Sequence, residues 1–483
     1  MKLRLLTLIL VLAISLVGFS KPAYAQAYGT HFSATLIYQN PTTAAATKIQ
    51  IIYYATPDTK DPISIPRPDL PGGNSTSVFI GTLRNPSSGF HGTMYIQSEP
   101  RLVAIQRQTP SANSQVKVHP MTNLPRYGSP AVLFPSVLRN QFYAHTVLTV
   151  QNIDSQNNVV RIDLYNLEAT LVYSYALVLK PSDVYIFDAG KAQDNPLPDS
   201  FDGSAVVSAT RMDLKTPGNI MGSAMELDSI YLGAKVYEGV AHGSMVVYMP
   251  SAACNFDIGG RVFINTAYAV QNNSLSISTD VTVTYSNGKT FTQTIGPGAK
   301  ASFIACQAKD MPSYFLGSAI IQSSAAPVVA IGKAYGGGLS TAFTGSSAGN
   351  GAKNLALPYV RWANETDWNN GTQERTFISI QNIGPEPIHG KIRVYYFPCQ
   401  GDTATHEIIL GDDGLAPGAK VISNPGYAEL EQVGMCGEGP QVGGGAIVAG
   451  PENSQLAAVV RVQQWDNAHG IVVGEDYNGI NAP

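Results

Sequence analysis

Thr146-Val147-Leu148-Thr149-Val150-Gln151-Asn152 alternates in residue type, is rich in β-branched side chains and ends on a turn-forming Asn. It therefore reads as a half-buried strand and its exit. Three near-copies occur in the same chain: Ala34-Thr35-Leu36-Ile37-Tyr38-Gln39-Asn40, Thr266-Ala267-Tyr268-Ala269-Val270-Gln271-Asn272 and Thr376-Phe377-Ile378-Ser379-Ile380-Gln381-Asn382. The steps from Gln to Gln are 151−39 = 112, 271−151 = 120 and 381−271 = 110 residues. So steady an interval implies four tandem units.

The same signals follow each copy. A second alternating strand presents one apolar face: Ile49/Ile51/Tyr53, Val160/Ile162/Leu164, Val281/Val283/Tyr285 and Ile392/Val394/Tyr396. A turn comes next, at Leu70-Pro71-Gly72, Leu179-Lys180-Pro181, Gly296-Pro297-Gly298 and Ala416-Pro417-Gly418. Then comes a Gly-small-apolar strand: Phe90 to Met94, Phe201 to Ala205, Phe315 to Ala319 and the divergent Val442 to Ala446. An apolar strand closes three copies at Leu102 to Ile105, Val328 to Ile331 and Leu456 to Val459, with Ile220 to Leu227 as its counterpart in the second. Polar or Gly-rich stretches, Ser111 to Ser129, Gly239 to Ser244 and Gly336 to Asn354, read as joints. After each joint, an apolar-x-x-Pro segment (Leu133 to Val137, Val247 to Ala252, Leu355 to Val360) reads as the leading strand of the next unit.

Lys2 and Arg4, an apolar run from Leu5 to about Gly18, and Ala23-Tyr24-Ala25 form a secretory leader with cleavage expected before Gln26. The run is too short to span a membrane comfortably, and no other stretch approaches that length, so membrane insertion is not expected. Charged residues make up 13% of the chain and the net charge is −4, which supplies no basic field for nucleic acid. With 44% hydrophobic residues the chain has ample material for a core. Cys254, Cys306, Cys399 and Cys436 allow three pairings, and the unit boundaries favour Cys254–Cys306 and Cys399–Cys436. Their spacing lacks the close pairs of a zinc site.

Short strands with turn signals every 8–12 residues and no amphipathic helix describe a two-sheet sandwich. The Gln-Asn strand end, the Pro-Gly turn and the Phe-x-Gly-Ser-Ala-x-x-x-Ser element resemble those of tandem immunoglobulin-like repeats in secreted bacterial surface proteins. That resemblance implies sandwich domains and an extracellular or cell-surface location, and it carries no catalytic residues. The expectation is an all-β chain of four tandem immunoglobulin-like β-sandwich domains after a signal peptide: leader 1–25, then repeats 26–127, 128–243, 244–350 and 351–483.

Candidate chemistry is sparse. Gly345-Ser346-Ser347-Ala348-Gly349 matches a hydrolase nucleophile elbow but lies in a Gly/Ser-rich joint, so it reads as linker. The eight His residues are scattered, with no second ligand at i+2 or i+4. Asp412-Asp413-Gly414 and Asp367 to Gly371 could offer oxygens to calcium, and both read as turns. The recurrent Asn reads as a structural residue that hydrogen-bonds the loop it enters. Trp362, Asn364, Asp367 and Trp368 place flat rings beside hydrogen-bonding groups, the composition of a sugar site, although Trp362 is also placed like a core residue. No catalytic residue, metal ligand or cofactor is expected. The reading is a non-enzymatic secreted surface, matrix or filament component, in which rows of sandwiches give reach and function lies in loops and edges. Its partners would be other surface proteins, copies of itself or glycans. A carbohydrate- or protein-binding module centred on repeat four, and a hydrolase with an unrecognised site, are the rivals.

Overall fold

The computed structural model describes residues 32–482 apart from 54–61, 83–93, 112–115, 117, 126, 192–196, 229–232, 259–260, 364–373, 399–401, 435–443 and 467–470. The leader and the Cys399–Cys436 pairing therefore lie outside the described residues. The described chain is all-β, with antiparallel sheets and a few short 3-10 turns.

Each Gln-Asn strand holds the same place in a four-stranded array. In repeat three the order is Lys300–Ile304, Phe263–Asn272, Val328–Gly336, Leu339–Thr344. The other repeats give Ser75–Phe79, Phe32–Gln39, Val103–Pro110, Met121–Asn123; Val184–Asp188, Ala144–Asn152, Ile220–Asp228, Ala234–Glu238; and Lys420–Ser423, Glu374–Asn382, Leu456–Asp466, Ile471–Asn478. A second array faces it. In repeat two this is Leu171–Leu179, Asn158–Asn166, Phe201–Arg211, Ala131–Gln141, and in repeat four Ala404–Ile409, Lys391–Phe397, Gly444–Ala449, Asn354–Val360. The alternating faces read from sequence fill the space between the layers: Ile51, Val160, Ile162, Leu164, Val281, Val283, Ile392, Val394 and Tyr396 are each 0% exposed. Burial of each such side chain stabilises the fold by roughly 1.5–3 kcal/mol.

The apolar-x-x-Pro segments do lead the repeats that follow them: Ala131–Gln141, Val246–Cys254 and Asn354–Val360 each pair with their own repeat's Gly-small-apolar strand. Among the described residues repeat one has no such strand; its second sheet is Ile63–Pro66, Thr47–Tyr53, Met94–Glu99. Cys254 and Cys306 form the expected disulfide, with Cα atoms 5.0 Å apart.

Two expectations need correction. The first concerns the joints. Met121–Asn123 and Leu339–Thr344 lie in stretches read as linker, yet each is the fourth strand of its sheet. These strands are too short and too rich in hydroxyl residues for alternation to show. Before Leu339, Gly336, Gly337 and Gly338 take φ of 124°, 58° and 95° and make the hairpin turn.

The second correction concerns the row. The fourth strands of the four repeats pack in a closed cycle: Met121–Asn123 on Ala234–Glu238, that strand on Leu339–Thr344, the latter on Ile471–Asn478, and this last back on Met121–Asn123. The repeats thus surround a common axis. Cores also run across repeats: Ile37, Ile105 and Met121 belong to the cluster built on Leu357, Ile380 and Val394 of repeat four. Likewise Ala269, Ile331 and Ala342 of repeat three join the core of repeat two.

Shared cores make a stability prediction. A fragment of residues 244–350, stripped of its neighbours, is expected to melt below the intact chain in calorimetry and to bind a hydrophobic dye. Identical midpoints for fragment and whole would show the repeats to be independent.

Candidate functional site: the clasps between repeats

The Asn of each Gln-Asn pair is fully buried and staples its own repeat. Asn382 Nδ2 donates to the carbonyls of Glu386 and Leu415, both at 2.8 Å, and its Oδ1 accepts from the Gly384 N–H at 2.9 Å. Asn40, Asn152 and Asn272 repeat the pattern through Leu70, Leu179 and Ile295. Two donors and one acceptor on one short stem are what this corner requires, and Asn supplies them.

The Gln points the other way, across a junction. Gln271 Nε2 donates to Gly298 O in its own Pro-Gly turn (3.2 Å) and to Ala205 O of repeat two (3.1 Å). Gln381 bridges Gly418 O (2.8 Å) and Ala319 O of repeat three (3.2 Å). Gln39 bridges Gly73 O (2.9 Å) and Ala446 O of repeat four (3.1 Å). The Ser of the Gly-Ser-Ala strand donates to the same glycine carbonyl: Ser204 to Gly298 at 2.6 Å, Ser318 to Gly418 at 2.7 Å. Three signatures scattered through each repeat thus meet at one point between repeats. Glycine suits position 298 on two counts: its φ of 69° is one that side chains rarely adopt, and an added Cβ would crowd the Tyr165 ring of repeat two at 3.0 Å.

Repeat two departs from this pattern. Gln39, Gln271 and Gln381 are each 0% exposed, whereas Gln151 is only half-buried. At its turn Ser182 stands where the others have glycine, still at a φ of 66°. The junction with repeat one is closed instead by an apolar cluster in which Val116 and Val118, from the joint, pack with Val147, Leu227 and Ala234.

Buried charge adds a second set of clasps. Four residues beyond the position opposite each Gln, the closing strands carry Arg107, Lys333 and Arg461, with Met225 at this position in repeat two. Lys333 reaches Glu226 (2.6 Å) and Ser136 (2.7 Å) of repeat two. Burial works against the Glu226 charge, but Lys333 and Lys235 outweigh it and hold its carboxyl down at about 2. Arg461 binds Asp476, which accepts from Thr341 of repeat three at 2.8 Å. Lys300 binds Asp202 of repeat two at 2.5 Å.

The densest cluster lies between repeats one and four. Arg107 binds Glu374 at 3.0 Å and Glu475 at 3.1 Å, and contacts His119 Nδ1. Tyr359 donates to Glu374 at 2.7 Å. The ligand atoms of His119, Glu374 and Glu475 lie within 4.8 Å of one another, a spacing that suits a metal ion. The Arg107 guanidinium already bonds all three, so the cation place is taken by the protein's own side chain. Burial, then the Arg107 charge, depress His119 to about 3, which leaves it neutral. Burial and the charge of Glu374 push Glu475 up to about 8. Glu374 moves down, because Arg107 and Arg361 overcome its burial.

At the axis, Asn123, Glu238, Thr344 and Asn478 occupy the same register on the four central strands. Asn478 Nδ2 donates to Thr344 O at 2.7 Å while its Oδ1 accepts from Thr344 N at 2.9 Å. Asn123 and Asn478 exchange a similar pair at 2.9 and 3.0 Å. Burial in the gap lifts Glu238 to about 7.

The sequence candidates fare unevenly. Trp362 is buried, edge-on to Phe377 at 6.0 Å and under the Arg375 guanidinium at 4.9 Å. Asn364, Asp367 and Trp368 lie outside the described residues. Ser346 and Ser347 pair with Tyr248 and Val247 as a short strand, and among the described residues no α-helix follows them. Asp412 and Asp413 sit exposed in a turn closed by Gly414 N–H to Gly411 O. The clasping Gln was not anticipated; the signal available was its identity in all four copies.

No family model and no curated protein matches the chain. Among solved structures, Thermotoga maritima 1070 is 15% identical, with a TM-score of 0.19, over 24% of this chain and 96% of its own. A tetra-tandem repeat from the extending region of a large adhesion protein is 11% identical, with a TM-score of 0.10, over 92% of this chain and 94% of its own. Scores this low carry no argument about fold or role.

Two predictions follow from the clasps. Gln271→Ala and Gln381→Ala each leave a buried carbonyl without its donor and are expected to cost about 1–3 kcal/mol in urea unfolding. Gln151→Ala should stay within about 0.5 kcal/mol of wild type; equal costs at all three positions would refute the assignment. The second concerns pH. Between the ordinary carboxyl value and about 8, folded Glu475 keeps a proton that the unfolded chain has released. Its contribution to stability therefore falls as pH rises through that window. Glu475→Gln is expected to gain on wild type in melting temperature from pH 5 to 8; a constant offset across the window would contradict it.

Proposed function

We propose that the chain is a secreted, non-enzymatic protein of the cell surface, matrix or a filament, whose four repeats are immunoglobulin-like β-sandwich domains. The observation that carries this reading is the closed cycle of axial strands, which packs the repeats against one another in one assembly. The residues that recur in the repeats, Gln, Asn, Ser and the turn glycine, are taken up in holding strands and repeats together. That is the use expected of recurrent residues in a scaffold, and it leaves loops and edges for partners. The leader and the low charge content support an address outside the cytoplasm. Other surface proteins, further copies of this chain, or glycans are the partners such an assembly suits.

Immunogold labelling of native cells and analysis of the medium test the reading. The expected result is surface or medium label on a chain that begins at Gln26. Retention in the cytoplasm with residues 1–25 intact would end it.

A further inference from the structure

Several edge strands here carry polar or turn-forming residues. Ile63–Pro66 ends in Pro66, which cannot donate to a ladder. Thr290–Ile295 shows Thr290, Thr292 and Thr294, the last bound to Asp280. Ala404–Ile409 carries Glu407, ion-paired to Lys391 and Arg393.

Leu171–Leu179 of repeat two has no such guard. Among the described residues it is the terminal strand of its sheet, bonded to Asn158–Asn166 on one side only. Nine residues, Leu-Val-Tyr-Ser-Tyr-Ala-Leu-Val-Leu, run without a charge or a proline. Leu171, Tyr175 and Val178 are 42%, 41% and 50% exposed. Tyr175 stacks on Tyr173 and lies tilted against Tyr185, with centroids 6.4 and 5.9 Å away, so the edge carries a partly exposed aromatic row. A long apolar edge of this kind is a template for strand addition.

The order of residues says what should add. Turned about Tyr175, the strand matches itself: Leu171 meets Leu179, Val172 meets Val178, Tyr173 meets Leu177, Ser174 meets Ala176 and Tyr175 meets Tyr175. An isologous pair places each residue opposite a residue of an identical chain, and charges that face themselves repel. This strand has none to repel. Its exposed flanks are complementary too, because antiparallel pairing brings Glu168 of one copy towards the Lys180 end of the other.

We propose that this edge binds a second copy of the chain, strand 171–179 pairing antiparallel with its twin about Tyr175 to form one continuous sheet through two molecules. The proposal does not depend on where the protein acts, so its failure would leave the surface reading standing.

Sedimentation velocity and native mass spectrometry of the mature full-length chain, residues 26–483, give the first test, with a dimer expected. Tyr175→Lys places two like charges opposite each other at the two-fold axis, as does Tyr175→Glu. Each variant alone should run as a monomer with wild-type circular dichroism. An equimolar mixture of the two should recover a dimer, now a heterodimer, which also shows that both variants are folded. A wild-type chain that stays monomeric at the highest soluble concentration overturns the proposal. So does a dimer that both variants leave intact, or a mixture that fails to pair while both variants stay folded.

Discussion

One amide carries the architecture. The side-chain N–H groups of Gln39, Gln271 and Gln381 each join a glycine carbonyl of their own repeat to an alanine carbonyl of the repeat before. These hydrogen bonds are buried, so both acceptors are out of water. Unpaired, each such group would cost more than the bond itself contributes. The clasp therefore acts as a condition for docking: repeats that approach in another register strand their carbonyls. Glycine at the turn follows from it, because a side chain there would hold the sheets apart.

The charged clasps obey the same logic at higher stakes. Arg107, Lys333 and Arg461 share one register position and face carboxylates buried with them. A buried ion pair is weak evidence for stability, since desolvation offsets much of the attraction, yet removing one partner leaves an uncompensated charge. Such pairs penalise mispacking more than they reward packing. Four repeats built on one strand plan need that discrimination, because each could otherwise dock on the wrong neighbour.

What the sequence made legible was local. The alternating faces, the leading strands, the Cys254–Cys306 bridge and the role of the Asn all rest on residues close in the chain or within one repeat. The Asn partners lie 4 and 33 residues away in repeat four, inside one unit. The Gln39 bond to Ala446 spans 407 residues, and no local pattern encodes a contact of that kind. The axial strands escaped for a different reason: in Met121–Asn123 and Leu339–Thr344, burial comes from neighbouring repeats on both sides, so hydrophobic alternation is not needed. Trp362 has the ring a sugar site needs, but Arg375 and Phe377, which pack on it, come from a strand whose contact with it no local pattern encodes.

Closing a cycle from one chain leaves its junctions chemically unequal, and the clasps follow that inequality. Repeats two to three and three to four are both covalently joined and clasped. Between one and two, the joint at 111–129 tethers the repeats, holding them at high effective concentration. There the pattern lapses: Gln151 is half-buried, Ser182 replaces the glycine, Met225 replaces the cation, and joint residues Val116 and Val118 supply the packing. Between four and one no peptide bond crosses. That junction carries the Gln39 clasp, a common core through Ile37 and Ile105, and the cluster of Arg107 with Glu374 and Glu475. A backbone link thus permits the clasp to lapse, as between one and two, without requiring it to; at the junction that no peptide bond crosses, side chains alone supply both the affinity and the register.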